Sequence, residues 1–459
     1  MPPVRRRESR DQAAAAAVPR TCRTTSGCRQ RGRRRADEEI DGAAALPDDA
    51  LAGVLSRFVD LGDVVRCAAT CRRWGRVVTA RASSLARALP PPGRLLPRLA
   101  IGVFHQEAED APAARTRGSS SPPAMLPCFV PMASAARLIT DDVWCPLIRS
   151  HGDGLLRNSR PVASRNGRLV LELQQEGGHS DGRLKLCVCN PMSGDAAVLP
   201  ALSSGPQKPR DYGCALLTGD DDDLSPLTSF HVLLLYNNRR GSTALRCYYY
   251  SSSSSSSGGW GPEAKCSTRI SGGKLHRIGQ AVVLRGVAFW PLDDGALGVR
   301  VSAATGAEIT EMHLLPYDVP HYWPEARLLG VLPDDRLFFV YFGICGDTLM
   351  AKLSYFAIDG DDVGAGRKEC SSLEEGIRMH QMKVTCQDTL KLRWVCEKSG
   401  LIFFTLRESS SGRSGTFALN LHDKLVEKVA DGEGHKWRNF VGYEMGTAGY
   451  LASIAPRAC

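Results

Sequence analysis

The sequence predicts an α+β multidomain protein in which a module of three short helices precedes a large all-β, propeller-like domain. Two observations give this prediction. Apolar residues recur at helical spacing between residues 46 and 89. From residue 129 onward, short apolar or alternating runs are separated by glycine, proline and aspartate turns, which is typical of strands. A chain of 459 residues is long enough for both parts.

The helical module contains the start signals of short helices. Pro47 suits a first turn, where its missing N–H would have no partner, and Asp48 and Asp49 favour the positive end of the helix dipole. Asp60 has the side chain of an N-cap for a second helix. Three buried faces are predicted from the spacing of Leu51, Val54, Leu55 and Phe58, of Leu61, Val64, Val65 and Ala68, and of Trp74, Val77, Val78 and Leu85.

This module is small for an independent domain. Its three helices span about 44 residues and bury too little surface for comfortable stability, so such modules need a metal, disulfides or a partner. We predict that a partner protein completes its hydrophobic interior. The alternative is an ordinary helical core without a partner.

The order of motifs in the module is Leu46-Pro47, Leu51, Leu55, Asp63-Val64-Val65-Arg66 and Cys71-Arg72-Arg73-Trp74. In this order the module resembles an F-box, the helical motif by which substrate receptors attach to SCF-type ubiquitin ligases. The resemblance implies binding of the SCF adaptor protein and, through it, of cullin and RING subunits. Gly53 and Gly75 depart from good helix sequence, at a cost of up to about 1 kcal/mol each. The adaptor-binding residues that the resemblance implies are Leu46, Pro47, Leu51, Leu55, Val64, Val65 and Trp74.

The basic character of the chain lies in its N-terminal tail. Residues 1–35 contain eleven arginines against Glu8 and Asp11, a balance of +9 that equals the net charge of the whole chain. We expect residues 1–45 to be disordered, because they contain few large apolar side chains. The segment Arg29 to Arg35 resembles a nuclear import signal or a weak phosphate-binding patch, and a solvated leader is the alternative.

The remaining composition predicts a soluble protein of the nucleus, the cytoplasm or both. No window approaches the roughly 18 to 20 apolar residues of a membrane span, and the N-terminus lacks the apolar core of a signal peptide. The sixteen cysteines include no CxxC pair, so we expect reduced core thiols and no metal site. No catalytic motif was found, so we expect a non-catalytic protein without a cofactor.

Residues 90–128 are predicted to be a linker that holds a first strand, near Leu95 to Gln106, and a flexible insertion. Residues 129–459 form the predicted β domain. Its main strand predictions are 169–173, 184–189, 230–236, 244–250, 281–290, 328–332, 337–342, 349–358, 392–396, 401–406 and 415–421.

A loose internal repeat favours a propeller over a large β-sandwich, the alternative left open. The repeats start near Arg165, Gly213, Gly286, Leu329 and Trp394, roughly 40 to 75 residues apart, close to or above the period of propeller blades. A propeller closes its sheets radially and so protects their edges.

Three segments of this half of the chain, 162–169, 189–191 and 282–290, carry a further resemblance. They resemble the kelch-related F-box-associated domains of plant F-box proteins, which implies that the domain selects the protein to be ubiquitinated. Aromatic residues beside prolines predict a target-binding rim at Tyr317, His321, Tyr322 and Trp323. Carbohydrate or nucleic-acid binding behind an F-box-like anchor is the alternative function, although we do not expect nucleic acid as the partner.

Overall fold

The chain divides into two units, residues 1–51 and residues 52–459. In the first unit, the N–H of Leu51 donates to the carbonyl of Pro47 at 2.9 Å, which closes the first turn of helix α1 (Asp48–Leu55). The second unit contains the other elements. The computed structural model describes residues 46–89, 94–107, 127–135, 143–157, 159–173, 183–202, 212–219, 229–237, 244–252, 259–269, 280–292, 295–301, 309–314, 327–357, 373–432 and 434–453.

Three more helices follow α1 in the N-terminal part: α2 (Leu61–Thr70), α3 (Arg72–Ala80) and α4 (Ala82–Ala88). The Asp60 carboxylate accepts a hydrogen bond from the Gly62 N–H at 2.8 Å, which confirms the predicted cap. The third predicted helix is divided at Arg81, whose backbone ends α3 and begins α4. The helical spacing of the apolar residues continues across this break, so the sequence pattern did not reveal it.

Antiparallel strands form most of the remaining structure. In chain order the elements are β1 (Ala100–Gln106), β2 (Cys128–Pro131), α5 (Cys145–His151), β3 (Ser159–Arg165), β4 (Arg168–Leu173), β5 (Lys185–Asn190), β6 (Asp195–Val198), β7 (Tyr212–Thr218), β8 (Phe230–Asn237), β9 (Ala244–Ser251), β10 (Ala264–Arg269), β11 (Val282–Leu284), β12 (Val287–Leu292), β13 (Gly295–Val301), β14 (Ile309–Leu314), β15 (Arg327–Val331), β16 (Arg336–Cys345), β17 (Thr348–Ala357), β18 (Leu373–Lys383), β19 (Thr389–Val395), β20 (Leu401–Arg407), β21 (Ser414–Asn420), β22 (Val426–Asp431), β23 (Arg438–Glu444) and α6 (Thr447–Ser453).

The described strands form six sheets that are the blades of a propeller. Blades 1 to 5 are the consecutive four-stranded sheets β3–β6, β7–β10, β11–β14, β15–β18 and β19–β22. Blade 6 has the order β2-β1-β23. The innermost strands β3, β7, β11, β15, β19 and β23 neighbour one another in that order, and β23 returns to β3. The predicted all-β propeller is therefore confirmed.

Blade 6 closes the ring with segments from both ends of the domain. Strand β23 pairs with β1 in antiparallel register, with Val103 opposite Gly442. The closure is fastened to blade 1, because the Tyr443 hydroxyl donates to the Gly167 carbonyl at 2.9 Å and the Gly167 N–H donates to the Glu444 carbonyl at 2.8 Å. The turn at Gly167 has a φ of 78°, which glycine adopts at little cost.

The core lies between the blades, and alternation along each strand creates it. On β8, Leu233 and Leu235 pack with side chains of blade 3, whereas Val232 and Leu234 pack with side chains of blade 1. Similar cores join blades 3 and 4 and blades 4 and 5. Because both faces of a strand are buried, its sequence is a continuous apolar run. Each fully buried leucine contributes about 2 kcal/mol.

The repeat starts predicted from the sequence lie at the innermost strands. Arg165, Gly213, Leu329 and Trp394 fall on β3, β7, β15 and β19, and Gly286 lies in the turn after β11. The predicted strand over 281–290 was wrong in one respect, because a turn at Arg285 and Gly286 divides it into β11 and β12. Both turn residues have positive φ, 49° and 72°, which is typical of a tight hairpin.

Two helices of the C-terminal part were not predicted. Helix α5 packs beside β6, and α6 packs against α3 and α4. In α6, Tyr450 and Leu451 are buried. The helical module therefore receives part of its hydrophobic covering from a C-terminal segment of its own chain, a contact that the sequence analysis did not foresee.

Candidate functional site

The predicted adaptor-binding residues differ widely in exposure. Leu51, Leu55 and Val64 are buried, with exposed fractions of 3%, 0% and 0%. Val65 and Trp74 are half-buried, whereas Leu46 and Pro47 are exposed. The two leucines of α1 are therefore shielded from solvent. Their direct contact with an adaptor stays a prediction.

Other apolar side chains of the helical module face solvent, although they were not chosen as site residues. Val54 on α1 is 48% exposed and Val59, after its end, is 81% exposed. Among the residues that were predicted to bind the adaptor, Leu46 is 55% exposed. Val54 lies within the predicted apolar stripe, but the sequence could not show which members of the stripe face outward.

The turn between α1 and α2 is held by charge. Besides accepting from Gly62, the Asp60 carboxylate forms an ion pair with the guanidinium of Arg94. The hydrogen bond from Gly62, followed by the interactions with Arg94, lowers the pKa of Asp60. The turn that presents Val59 is therefore anchored on its C-terminal side at neutral pH.

A second candidate surface is a cavity at the centre of the propeller. Its volume is about 240 Å³, and its lining comes from β3, β7, β19 and β23 and from two residues that directly precede β11. The cavity therefore lies at the ring of innermost strands, where ligand sites in closed β-architectures commonly occur. Polar or aromatic lining residues include Ser164, Arg165, Tyr212, Gln280, Arg393 and Phe440.

The ion pair of Arg165 with Glu397 lies at this centre. The Glu397 carboxylate also accepts from the N–H of Val283 on β11 at 3.0 Å. Arg165 and Glu397 are both almost buried, so the pair makes its interactions in a poorly solvated environment. One network thereby connects β3, β11 and the end of β19.

Arg393 is the second guanidinium in the cavity lining. Its Nη2 donates to the Gly434 carbonyl at 2.9 Å, its Nε donates to Thr405 Oγ1 at 3.3 Å, and its guanidinium carbon lies 5.8 Å from the centre of the Phe440 ring. Burial lowers the pKa of Arg393 to about 10, so the side chain stays cationic at neutral pH. Holding a buried cation here is costly, and such residues mark functional sites more often than chance.

The residues predicted to bind the target, Tyr317, His321, Tyr322 and Trp323, lie outside the described residues. Arg165 was noted as a repeat start and as part of the segment 162–169, whereas Gln280 and Arg393 were not selected. No local sequence pattern could have predicted that Arg165, Gln280 and Arg393 line one cavity, because they belong to blades that are far apart in the sequence.

Three other features bear on function: metal-ligating groups, exposed tryptophans and membrane-spanning helices. Among the described residues, no group of three or more His, Cys, Asp or Glu side chains is arranged to hold a metal ion. Of the six described tryptophans, three are buried and three are half-buried. In the same residues, no helix combines the length and apolar character needed to cross a bilayer.

The helices and the propeller together define a class of protein: a chain with an F-box-like domain followed by a six-bladed β-propeller. The F-box-like family model matches residues 43–83. This combination fits a substrate receptor of an SCF-type ligase in general, and an F-box implies binding of an SCF adaptor protein. F-box proteins are in general non-catalytic adaptors.

Three solved structures show distant similarity to this chain. A luciferin-regenerating enzyme is 11% identical with a TM-score of 0.28, over 62% of this chain and 80% of that one. A puromycin hydrolase mutant complexed with PGG is 11% identical with a TM-score of 0.26, over 64% and 56%. Hsv2 from Kluyveromyces lactis is 11% identical with a TM-score of 0.23, over 60% and 99%. These TM-scores are too low to support any argument about function.

No curated protein sequence matches the chain significantly.

Proposed function

We propose that this protein is the substrate receptor of an SCF-type ubiquitin ligase, a non-catalytic subunit that brings a protein target to the complex. The F-box-like helices bind the adaptor and, through it, the cullin and RING subunits. The propeller binds the target. The finer assignment to the kelch-related F-box-associated proteins of plants, with action in the nucleus or cytoplasm, belongs to the same proposal.

The observation that carries the proposal is the exposed apolar surface of the F-box-like helices. Val59, in the turn between α1 and α2, is 81% exposed although the module around it is apolar. The α3–α4 side of the module packs against α6, so it already has an intramolecular partner. Single exposed apolar residues are common on proteins, but these lie in the segment that matches the F-box-like family.

The receptor would act by positioning. A target held on the propeller raises the local concentration of its lysines near a ubiquitin-charged enzyme bound elsewhere in the complex. This mechanism requires no catalytic side chain in the receptor.

The test is co-purification of the full chain with a Skp1-like adaptor, comparing the wild type with Val59→Asp. Aspartate at this exposed position would put a charge in the interface and leave the fold intact, so we expect at least a tenfold loss of bound adaptor. Leu425→Asp is the matched control, because Leu425 is an exposed apolar residue of the propeller. If wild type and Val59→Asp retain equal amounts of adaptor, or neither retains any, the proposal fails.

A further inference from the structure

The cavity at the centre of the propeller has a lining with one sign of charge. Two of its lining residues, Arg165 and Arg393, are cations. No carboxylate belongs to the described residues that line it. A cavity lined in this way favours a negatively charged group, because its low-dielectric walls strengthen electrostatic attraction.

The carboxylates nearest to this region are already engaged by cations or by hydrogen-bond donors. Glu397 forms its ion pair with Arg165. Glu172, which is buried, accepts from Arg160 at 2.8 Å and from the Tyr212 hydroxyl. Neither carboxylate is itself among the described residues that line the cavity.

Local backbone irregularities lie at the cavity. The pairing of β19 with β20 shifts register between Leu392 and Trp394, so Arg393 occupies a β-bulge. The pairing of β3 with β4 shifts between Pro161 and Ala163, next to the segment that carries Ser164 and Arg165. Bulges re-aim side chains and are over-represented beside functional sites. Here they occur on two of the innermost strands that contribute to the lining.

The size of the cavity limits its occupant. A volume of about 240 Å³ is below the range of about 300 to 1,000 Å³ for drug-sized ligands, so it fits one side chain or one small group. Guanidinium groups match carboxylates and phosphates because their N–H donors lie in a planar fork.

We propose that this central cavity binds a single oxyanion group, a carboxylate or a phosphate, presented by a peptide segment of the target protein. The inference rests on the proposed function in one respect, because it assumes that the propeller binds a protein. It adds the chemistry that the target must carry. Arg393 supplies the charge, and the closed ring of innermost strands supplies the rigid walls.

The experiment uses the full chain, purified with its adaptor, and three synthetic peptide libraries that differ only at a fixed central residue: serine, glutamate or phosphoserine. The proposal expects the wild type to retain the glutamate or the phosphoserine library about tenfold better than the serine library. Preference for glutamate identifies a carboxylate, and preference for phosphoserine identifies a phosphate. Equal retention of all three libraries, or no retention, overturns the proposal.

Variants of Arg393 distinguish the effect of its charge on peptide binding from an effect on the fold. Arg393→Gln should lose the preference, whereas Arg393→Lys should keep most of it. The control is Arg327→Gln, since Arg327 lies on an innermost strand, 5.9 Å from the centre of the Phe339 ring, and does not line the cavity. Retention of the preference by a folded Arg393→Gln variant would refute the assignment.

A second pair of variants covers the case in which Arg393→Gln does not fold. Ala281 lines the cavity and is half-buried. Ala281→Asp adds a carboxylate to the lining and should abolish the preference, while the nearly isosteric Ala281→Asn should retain it. Equal behaviour of these two would contradict the proposal. Adaptor binding is measured in parallel for every variant. Absence of the peptide preference with normal adaptor binding contradicts only the cavity proposal, whereas absence of adaptor binding contradicts the receptor function.

Discussion

The side-chain amide of Gln280 forms two hydrogen bonds with the backbone of Val395. Its Nε2 donates to the Val395 carbonyl at 2.6 Å, and the Val395 N–H donates to its Oε1 at 2.8 Å. Gln280 precedes β11 in blade 3 and Val395 ends β19 in blade 5, with β15 of blade 4 between them in the ring. One side chain therefore ties together two blades that are not neighbours, at the edge of the central cavity.

We expect Gln280→Met to lower the free energy of unfolding by about 1 to 3 kcal/mol, because both hydrogen bonds are lost and the Val395 groups lose their partner. Denaturant unfolding of the full chain measures the change. Gln381→Met is the control, since Gln381 is exposed on β18, and it should change stability by about 0.5 kcal/mol or less. If both variants lose the same amount, the amide of Gln280 does not stabilise the ring.

Leu51→Ala together with Leu55→Ala should abolish co-purification of the adaptor while the propeller stays folded. Each substitution removes a buried side chain at a cost of about 2 to 5 kcal/mol, so α1 loses its support. Circular dichroism reports the β-structure, and adaptor pull-down reports binding. Val198→Ala with Leu425→Ala provides a control pair of exposed propeller residues. Unchanged recovery of the adaptor would show that α1 is not part of the interface.

Leu451→Ala should loosen the helical module from the C-terminal helix. Leu451 is fully buried on α6, which packs against α3 and α4, so we expect a loss of about 2 to 5 kcal/mol that is concentrated in these helices. Hydrogen exchange should rise in 72–88 and stay unchanged in β16 and β17. Ala452→Ser, at an exposed position of the same helix, is the control. Uniform exchange increases across the propeller would contradict a local coupling.

His105 should make the protein sensitive to mild acid. The side chain is buried, its Nδ1 has no hydrogen-bond partner among the described residues, and its ring stacks on Trp437 with centroids 3.7 Å apart. Burial, aided by the positive charge of Arg393, lowers the pKa of His105 from 6.5 to about 4. Between these values the unfolded chain binds more protons, so stability is complete above pH 6.5 and falls as the pH falls toward 4. The free energy of unfolding that is lost over this pH range is about 3 kcal/mol.

His105→Phe tests this directly, because phenylalanine can keep the stacking on Trp437 but cannot take up a proton. Urea unfolding at neutral pH and near pH 4.5 should show a smaller acid-induced loss than in the wild type. His422→Gln, at an exposed turn, should behave like the wild type. An identical loss in wild type and His105→Phe would assign the acid sensitivity to other groups.

Much of the architecture could be read from local patterns. Asp60 was recognisable as a cap because capping involves only neighbouring residues, and the innermost strands were located through Arg165, Gly213, Leu329 and Trp394 because blades repeat along the chain. The break at Arg81 and the turn at Arg285 were missed, since apolar spacing continues across both. Helix α6 was missed because it is short and its partners lie more than three hundred residues earlier.

The sequence by itself determined the class of each part: a helical F-box-like segment and a β domain with a blade-like repeat. Those features depend on periodicity and on turn residues, which act over a few positions of the chain. Only the tertiary structure decided how many blades close the ring, which apolar residues of α1 face inward, and how Arg165, Gln280 and Arg393 meet around one cavity. These relationships join segments far apart in the sequence, as the pairing of β23 with β1 does, and such segments carry no local sign of their proximity.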